Sequence, residues 1–362
     1  MKILWVAHRD PLNPKAGGAE LIIREVGRRL AKKGIEVTVI AGGWNDCKKD
    51  EVLEGIHIMR FGYRVGPHLA LPMFLQRDRY DVVIADLGHA VPWISPVLLR
   101  KKLIVSFLHL HARSLPGQVG PLLAQTIKSI EKLYPIIYYK QRFVTISNTS
   151  YEDLVALGIK KSKISVIYPG FDREIFKSSK KTEYPSMVYF GGMRPYKRPE
   201  EALYILKELQ NEIKNLKLIV IGDGPSKLEM ERLSLELGIK DNVSFTGRIP
   251  YTKVAEIVSA SWINIHSSVT EGWGISIIEA ASAGTPTIAY RVPGVSDSIK
   301  HGLNGILAED GDRKALANAA RFILSNPEEW WSSSVNVAMN YSWDTTAELW
   351  FKTIEKVAGE QS

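Results

Sequence analysis

The sequence predicts an α/β protein built from two doubly wound halves. Short runs rich in Ile and Val recur along the chain, separated by longer stretches of helical periodicity. The runs are nearly continuous in apolar residues, as in strands buried on both faces of a parallel sheet. The alternation stops once, at Tyr168–Asp172 and the polar stretch Lys177–Pro185, and then begins again. At 362 residues there is chain enough for two such domains with separate cores.

In the first half, Lys2–Ala7, Val37–Ala41, Ile56–Phe61, Val82–Ala85, Leu103–Leu108 and Phe143–Ile146 read as strands. Glu20–Lys33 carries apolar residues at 21, 22, 23, 26, 30 and 31, an amphipathic helix closed by Gly34. Strand–helix alternation implies right-handed crossovers and a doubly wound sheet. In the second half the strands are Met187–Phe190, Leu218–Ile221, Val243–Phe245, Trp262–Ile265, Thr287–Ala289 and Gly305–Leu307. Pro199, Glu200 and Glu201 open a helix running to about Ile213, with acids at its positive end. The expected domains are 1–172 and 173–342, with a tail, 343–362, whose helix is rich in aromatic residues. Ligands of such sheets bind at the carboxyl ends of the strands, so the chemistry is expected there.

Composition narrows the class. Apolar residues make up 45% of the chain, which excludes a disordered or fibrous protein. The single cysteine, Cys47, excludes an internal disulfide framework and fits a reducing, cytoplasmic setting. The start, Met1–Ala7, is too short and too strand-like for a signal peptide, and no run is long enough for a membrane span. Residues 1–172 hold 25 Lys/Arg against 15 Asp/Glu, a net of +10, while the remainder is −2. A basic half suits an anionic substrate or surface. A nucleic-acid motif and interleaved stacking aromatics are both lacking, so nucleic acid is not the expected partner. Leu115–Tyr139 has apolar residues at 122, 123, 127, 130, 133, 136 and 137 beside Lys128, Lys132 and Lys140. That pattern suits a helix lying on an anionic membrane, and equally a helix packed in the core.

The most informative segment is Glu271-Gly272-Trp273-Gly274-Ile275-Ser-Ile-Ile-Glu279. Two carboxylates are joined by a glycine turn leading into a short apolar helix. Glycines let backbone amides approach a ligand, and a helix N-terminus favours phosphate. Carboxylates accept hydrogen bonds from sugar hydroxyls. Together these point to a nucleotide-sugar site, against a bland reading as a helix start with exposed acids. The helix stops at Gly284, and Thr285-Pro286 leads into an apolar strand.

Here the sequence resembles the family-4 retaining glycosyltransferases of the GT-B fold, and the resemblance continues through Gly294–Ile299 and His301–Gly305. It implies two Rossmann-like domains facing a central cleft, the first on the acceptor side and the second binding the nucleotide sugar, with the terminal helix crossing back to the first. It implies that Glu279 holds the ribose and Glu271 the donor sugar, with Gly272, Trp273, Gly274 and Ile275 forming the turn around the diphosphate. The glycine pair Gly17-Gly18 opens a helix after the first strand, a weak phosphate-loop signal alone; the resemblance sets it near the donor phosphate and incoming acceptor. His109 and His111 follow a strand end, and the family has a donor-sugar histidine there; His109, first after the apolar run, is preferred, with His111 left open. After Phe190 the family carries Arg and, five residues on, Lys. This chain has Gly192 in the Arg position, keeps Lys197, and offers Arg194 as the replacement cation. Gly222 and Arg248 are carried over as ribose and base neighbours.

The implied reaction moves a hexose from a UDP- or GDP-linked sugar to a hydroxyl on a glycan, polysaccharide or lipid-linked acceptor. Lys197, Arg194 and the helix end at Gly274–Ile275 would stabilise the departing diphosphate without a metal or cofactor. His109, His111, Glu271, Arg194 and Lys197 are thus the candidates at the reacting centre. Asp310-Gly-Asp312 superficially matches a metal-binding pair, but its place before the helix Arg313–Leu324 predicts that Asp312 is a cap. Two other readings stand: a nucleotide-sugar epimerase of the same architecture, and a non-catalytic nucleotide-sugar-binding protein.

Overall fold

The computed structural model describes residues 1–63, 65–77, 80–115 and 119–360. The chain divides into two compact units: Met1–Ala112 with Pro121–Gly170 and Trp343–Ser362, and Arg113–Gly120 with Phe171–Ser342.

The first unit holds β1 (Lys2–Val6), β2 (Glu36–Ala41), β3 (Asp50–Leu53), β4 (Ile56–Arg60), β5 (Val82–Asp86), β6 (Leu103–Phe107), β7 (Arg142–Thr145) and β8 (Ile164–Val166). They form one sheet in the order β3-β4-β2-β1-β5-β6-β7-β8, parallel throughout except for the β3–β4 hairpin. The continuous apolar runs lie in the middle: β5 and β6 are buried along their whole length. Two strands, β3 and β8, have no counterpart in the sequence reading. Asp50-Glu-Val-Leu53 and Ile164-Ser-Val166 are short edge strands, and an edge strand buries too little to need an apolar run.

The helix Gly18–Lys32 packs beside the sheet, and the terminal helix Trp343–Gly359 lies against it. Trp350 meets Trp5 with ring centres 5.1 Å apart, while Asp344 pairs with Arg29 at 2.6 Å and Glu348 with Lys33 at 2.7 Å. The aromatic loading of the tail thus serves packing onto the first unit. The stretch Leu115–Tyr139 forms two helices, Pro121–Glu131 and Tyr134–Ile137, not one. Pro135 sits in the first turn of the second helix, where a missing N–H costs least. Residues 116–118 lie outside the described residues.

The second unit holds β9 (Ser186–Phe190), β10 (Lys217–Ile221), β11 (Val243–Gly247), β12 (Ile263–His266), β13 (Thr287–Tyr290) and β14 (Gly305–Ala308). The sheet is entirely parallel, in the order β11-β10-β9-β12-β13-β14. Strand order reverses between β9 and β12, and open sheets of this kind bind ligands outside the carboxyl ends at that reversal. Asp312 caps the helix Arg313–Ser325 as expected, its carboxylate accepting from the Ala315 amide at 2.8 Å.

The polar stretch at 177–185 is not a loose tether. Lys181 is half-buried in the second unit, its ammonium donating to Ser261 O and Thr285 Oγ1 at 2.8 Å each, and Trp262 Nε1 donates to Thr182 O. Polar residues here supply hydrogen bonds to the ends of neighbouring elements, which composition alone does not distinguish from a solvated linker.

Candidate active site

The loops leaving β9 and β12 are stitched together across the strand reversal. Val269 N donates to Tyr196 O at 2.8 Å, Ser267 Oγ donates to Lys197 O at 2.9 Å, and Arg198 Nε donates to Ser267 O at 2.8 Å. This stitching brings Lys197 and Glu271, 74 residues apart, into direct contact. Three groups converge on one carboxylate oxygen of Glu271: the Lys197 ammonium, Ser268 Oγ at 2.7 Å, and His266 Nε2 at 3.2 Å. No group among the described residues takes the other oxygen, so Glu271 keeps one acceptor for a ligand hydroxyl.

Burial alone would raise the Glu271 pKa and lower that of Lys197. The close charge pair reverses both: the carboxyl is held well below the usual range and the ammonium above its ordinary value. Both groups are ionised at neutral pH. His266, buried at the end of β12, was not anticipated from the sequence. It reads there as the last residue of an apolar strand, and only its placement five residues before Glu271 hints at a role.

The turn Gly272-Trp273-Gly274 leads into the helix Ile275–Ser282. Gly274 takes a left-handed conformation, φ +81°, and no side chain caps the helix. The Ile277 amide donates to Gly274 O at 2.9 Å, which leaves those of Ile275 and Ser276 without a partner among the described residues and suited to an anion. The turn is braced from behind by Gly294. A β-carbon there would lie 2.1 Å from Glu271 O, so only glycine fits, and Glu271 N donates to Pro293 O at 3.0 Å. The Trp273 side chain is buried and meets Tyr341 edge-on at 5.2 Å, so its offering to a ligand is its backbone.

Glu279 is also buried, and the hydroxyl of Tyr251 donates to its Oε1. Burial pushes the Glu279 carboxyl up to about 7; Tyr251 opposes the rise and Asp172 adds to it. Tyr251 lies 28 residues away on another helix, a pairing no local pattern reveals.

Gly192 and Arg194 are both exposed at the end of β9. A β-carbon added at Gly192 would meet only Arg194, 4.0 Å from its Nε. Arg194 therefore lies beside the space a side chain at 192 would enter. Gly222 follows β10 and lies close against Gly191; a β-carbon would lie 2.0 Å from Gly191 O, so its first role is close packing. Arg248 is exposed just after β11, at the edge of the sheet and away from the reversal.

The remaining candidates belong to the first unit. Gly17 and Gly18 are exposed, and the Gly17 amide donates to Glu20 Oε2 at 2.7 Å, while Arg9 Nε donates to Glu20 Oε1 at 2.9 Å. One of the amides expected to serve a ligand is thus already engaged. His109 and His111 follow β6 with ring centres 5.1 Å apart. The buried carboxylate of Glu131 accepts from the His111 backbone amide at 2.6 Å and lies 3.4 Å from its Nδ1, fixing that residue from the helix opposite.

No group of His, Cys, Asp and Glu among the described residues has the arrangement to hold a metal ion. No described helix is long and apolar enough to cross a membrane.

Comparison with known proteins identifies the class. Residues 16–175 match the model described as Glycosyltransferase Family 4, and residues 170–333 match Glycosyl transferases group 1. The N-acetyl-alpha-D-glucosaminyl L-malate synthase of Bacillus anthracis is 25% identical, over 87% of this chain and 86% of its own. Among solved structures, sucrose-phosphate synthase from Thermosynechococcus elongatus superposes with a TM-score of 0.84 at 20% identity, covering 98% of both chains. HepE of Anabaena, solved with UDP-glucose, gives 0.80 at 19% identity, covering 98% of this chain and all of that one. These two structures speak to the fold; the family matches speak to the class. The chain belongs to the family-4 glycosyltransferases of the GT-B fold and is an enzyme of that class.

Proposed function

We propose that this enzyme moves a hexose from a nucleoside diphosphate sugar, UDP-linked in the first instance, to a hydroxyl acceptor with retention of configuration and without a metal. The observation that carries the reading is the convergence of Lys197 and Glu271 at the strand reversal, beside the uncapped helix end at Gly274. Departure of the diphosphate is the demanding step. Lys197, Arg194 and the first-turn amides offer positive charge where it develops. Glu271 accepts from the donor sugar hydroxyls through its remaining oxygen, and Glu279 from the ribose. His109 or His111 is the further candidate for a donor-sugar contact, on the family resemblance. The UDP preference is supported by the UDP-glucose complex of HepE. An epimerase would need a further acid–base set around the sugar, and nothing on these elements marks one.

The acceptor is proposed to be a glycan or a lipid-linked molecule met at an anionic membrane surface. Leu122, Leu123, Leu133, Ile136 and Tyr139 are all exposed, and Lys128, Lys132 and Lys140 share their segment. Exposed apolar residues with cations suit an interface, each cation adding about 1 kcal/mol near anionic lipid.

Sugar release from a panel of nucleotide sugars, with and without acceptors, tests the reaction; proton NMR of the product anomer tests retention. Transfer is expected to persist in excess EDTA, and complete loss restored by magnesium would overturn metal independence. Co-sedimentation with anionic but not neutral vesicles, weakened by salt, is expected for the surface. Equal, negligible binding to both would favour a soluble acceptor.

A further inference from the structure

The second sheet has two ends, and only one of them holds the candidate active site. Glu271 and Gly274 follow β12, at the carboxyl ends of the strands, whereas Gly302 precedes β14 and so lies at the amino ends. The helix Arg313–Ser325 follows β14 after a short turn and packs on it, which returns Phe322 and Ser325 to the amino end. The next helix, Pro327–Ala338, starts there. Between these segments lies a surface cavity of about 870 Å³, within the size range of ligand pockets.

Its walls carry two kinds of group. Phe322 is 60% exposed and meets Trp330 edge-on, with ring centres 6.2 Å apart. Trp330 is half-buried and packs on the core of the second unit, so the pair forms an anchored apolar platform at the surface. Beside it stand Asn326, Glu328, Glu329 and Ser333. None of these side chains has a hydrogen bond or ion pair among the described residues. Exposed polar groups ordinarily settle for water; these are set apart by their enclosure against aromatic rings.

Charge and hydrogen-bonding capacity select the occupant. No Lys, Arg or His lines the cavity. Two cations near it in sequence are engaged elsewhere: Arg321 pairs with Glu212 at 2.7 Å, and Lys300 Nζ donates to Asp297 O at 3.4 Å. Carboxylates without a counter-charge repel a phosphate or an acidic polymer. A cationic ligand would suit them but brings donors only. It would leave the Asn326 amide, the Ser333 hydroxyl and the uncapped start of Pro327–Ala338 unmet. A sugar meets every need at once, because its hydroxyls both donate and accept and its C–H faces lie well on aromatic rings.

We propose that this cavity is a second carbohydrate site, holding an oligosaccharide segment with Phe322 and Trp330 under its rings and Asn326, Glu328 and Glu329 on its hydroxyls. The assignment goes beyond the transfer reading, since nothing reacts here. The site tethers a glycan and raises its effective concentration at the enzyme.

The test uses the full chain labelled with 5-fluorotryptophan, with maltotriose and cellotriose as probes. Fluorine NMR reports all nine tryptophans, and the Trp330 resonance is assigned by its loss in Trp330→Phe. At least one oligosaccharide is expected to shift that resonance, while UDP leaves it in place. Phe322→Ala, and Glu328→Ala combined with Glu329→Ala, are each expected to weaken oligosaccharide affinity about three- to tenfold. These positions are exposed, and the remaining tryptophan resonances report whether each variant keeps its fold. UDP affinity by calorimetry is expected to stay within about twofold in every variant, because the other end of the sheet is untouched. Tetramethylammonium and inorganic phosphate serve as cationic and anionic controls, and neither is expected to move the Trp330 resonance. A Trp330 resonance unmoved by both oligosaccharides, moved as far by either ion, or titrating unchanged in both variants would each overturn the proposal. Failure of wild type to bind UDP would count against the donor reading alone.

Discussion

The two strand reversals in this chain, one in each unit, are finished to different degrees. At β9/β12 the functional side chains are already wired to one another: Lys197, His266 and Ser268 all hold one oxygen of Glu271. At β1/β5 the rings of His8, His68 and His89 gather instead, and beyond its own backbone neither ring nitrogen of His89 meets a hydrogen-bond partner among the described residues. A buried polar group is costly unless paired, so the first arrangement is held by its own partners while the second leaves a donor and an acceptor open. On the proposed reading, the wired reversal is the one that takes the nucleoside diphosphate.

The largest effect expected from breaking the wired side is that of Lys197→Met. It removes the cation closest to Glu271 and leaves a half-buried carboxylate with Ser268 and His266 as its remaining partners. Transfer is expected to fall about 10²- to 10³-fold, and the fold to lose roughly 1–3 kcal/mol, less than when one member of a fully buried pair is deleted. Initial rates and urea melts measure both. A variant with near wild-type kcat would remove Lys197 from the reaction.

Glu279→Gln is expected to act next most strongly, with a pH signature. In the unfolded chain this carboxyl ionises near its ordinary value, while in the folded protein it keeps its proton to about 7. The folded state thus binds more protons across that window, and stability falls as pH rises from about 4.5 to 7, by up to roughly 3 kcal/mol. The Gln variant is expected to flatten that fall without abolishing it, because Asp86 is also pushed up to about 7 and titrates in the same range. Nucleotide affinity is expected to drop about tenfold or more near pH 8, and less near pH 6, where the wild-type carboxyl is already protonated. Melting curves and calorimetry across pH decide it; an equal loss at both pH values would sink the ionised-carboxylate role.

Arg194→Ala is expected to give the smallest change. Arg194 is exposed, and a solvated cation near phosphate contributes about 1 kcal/mol or less, several-fold in kcat/KM. The sharper experiment adds Gly192→Arg to Arg194→Ala. Recovery of activity is expected, because among the described residues the only neighbour of a β-carbon at 192 is the side chain being removed. No recovery would mean that Arg194 does not replace the missing cation.

Much of the architecture was legible because it is written locally. The central strands of both sheets, the stop at Gly284 and the Asp312 cap follow from runs and punctuation a few residues long. The edge strands β3 and β8 escaped because their sequences need little burial. Of the site, the turn at 271–275 and the spacing of Lys197 were readable from resemblance. The partners of those residues were not. His266 sits inside an ordinary apolar strand, and Tyr251 reaches Glu279 from a separate helix. The His8–His68–His89 group is assembled from three separate elements, so no single stretch of sequence signals it. Local periodicity reports which face is buried; it does not report which polar groups meet at the end of a sheet.

The ion pair between Lys197 and Glu271 has a consequence for the end of the catalytic cycle. A lysine facing a spent diphosphate with no other counter-charge would hold that product tightly, and turnover would wait on its escape. Here the ammonium has an internal resting place to return to. On the proposed reading the carboxylate would compete with the leaving nucleotide for the same cation, so each departure would restore a pair present before the donor arrived. Lys197 would then stabilise the diphosphate during transfer and release it afterwards, with product inhibition held in check by the residue proposed to read the sugar.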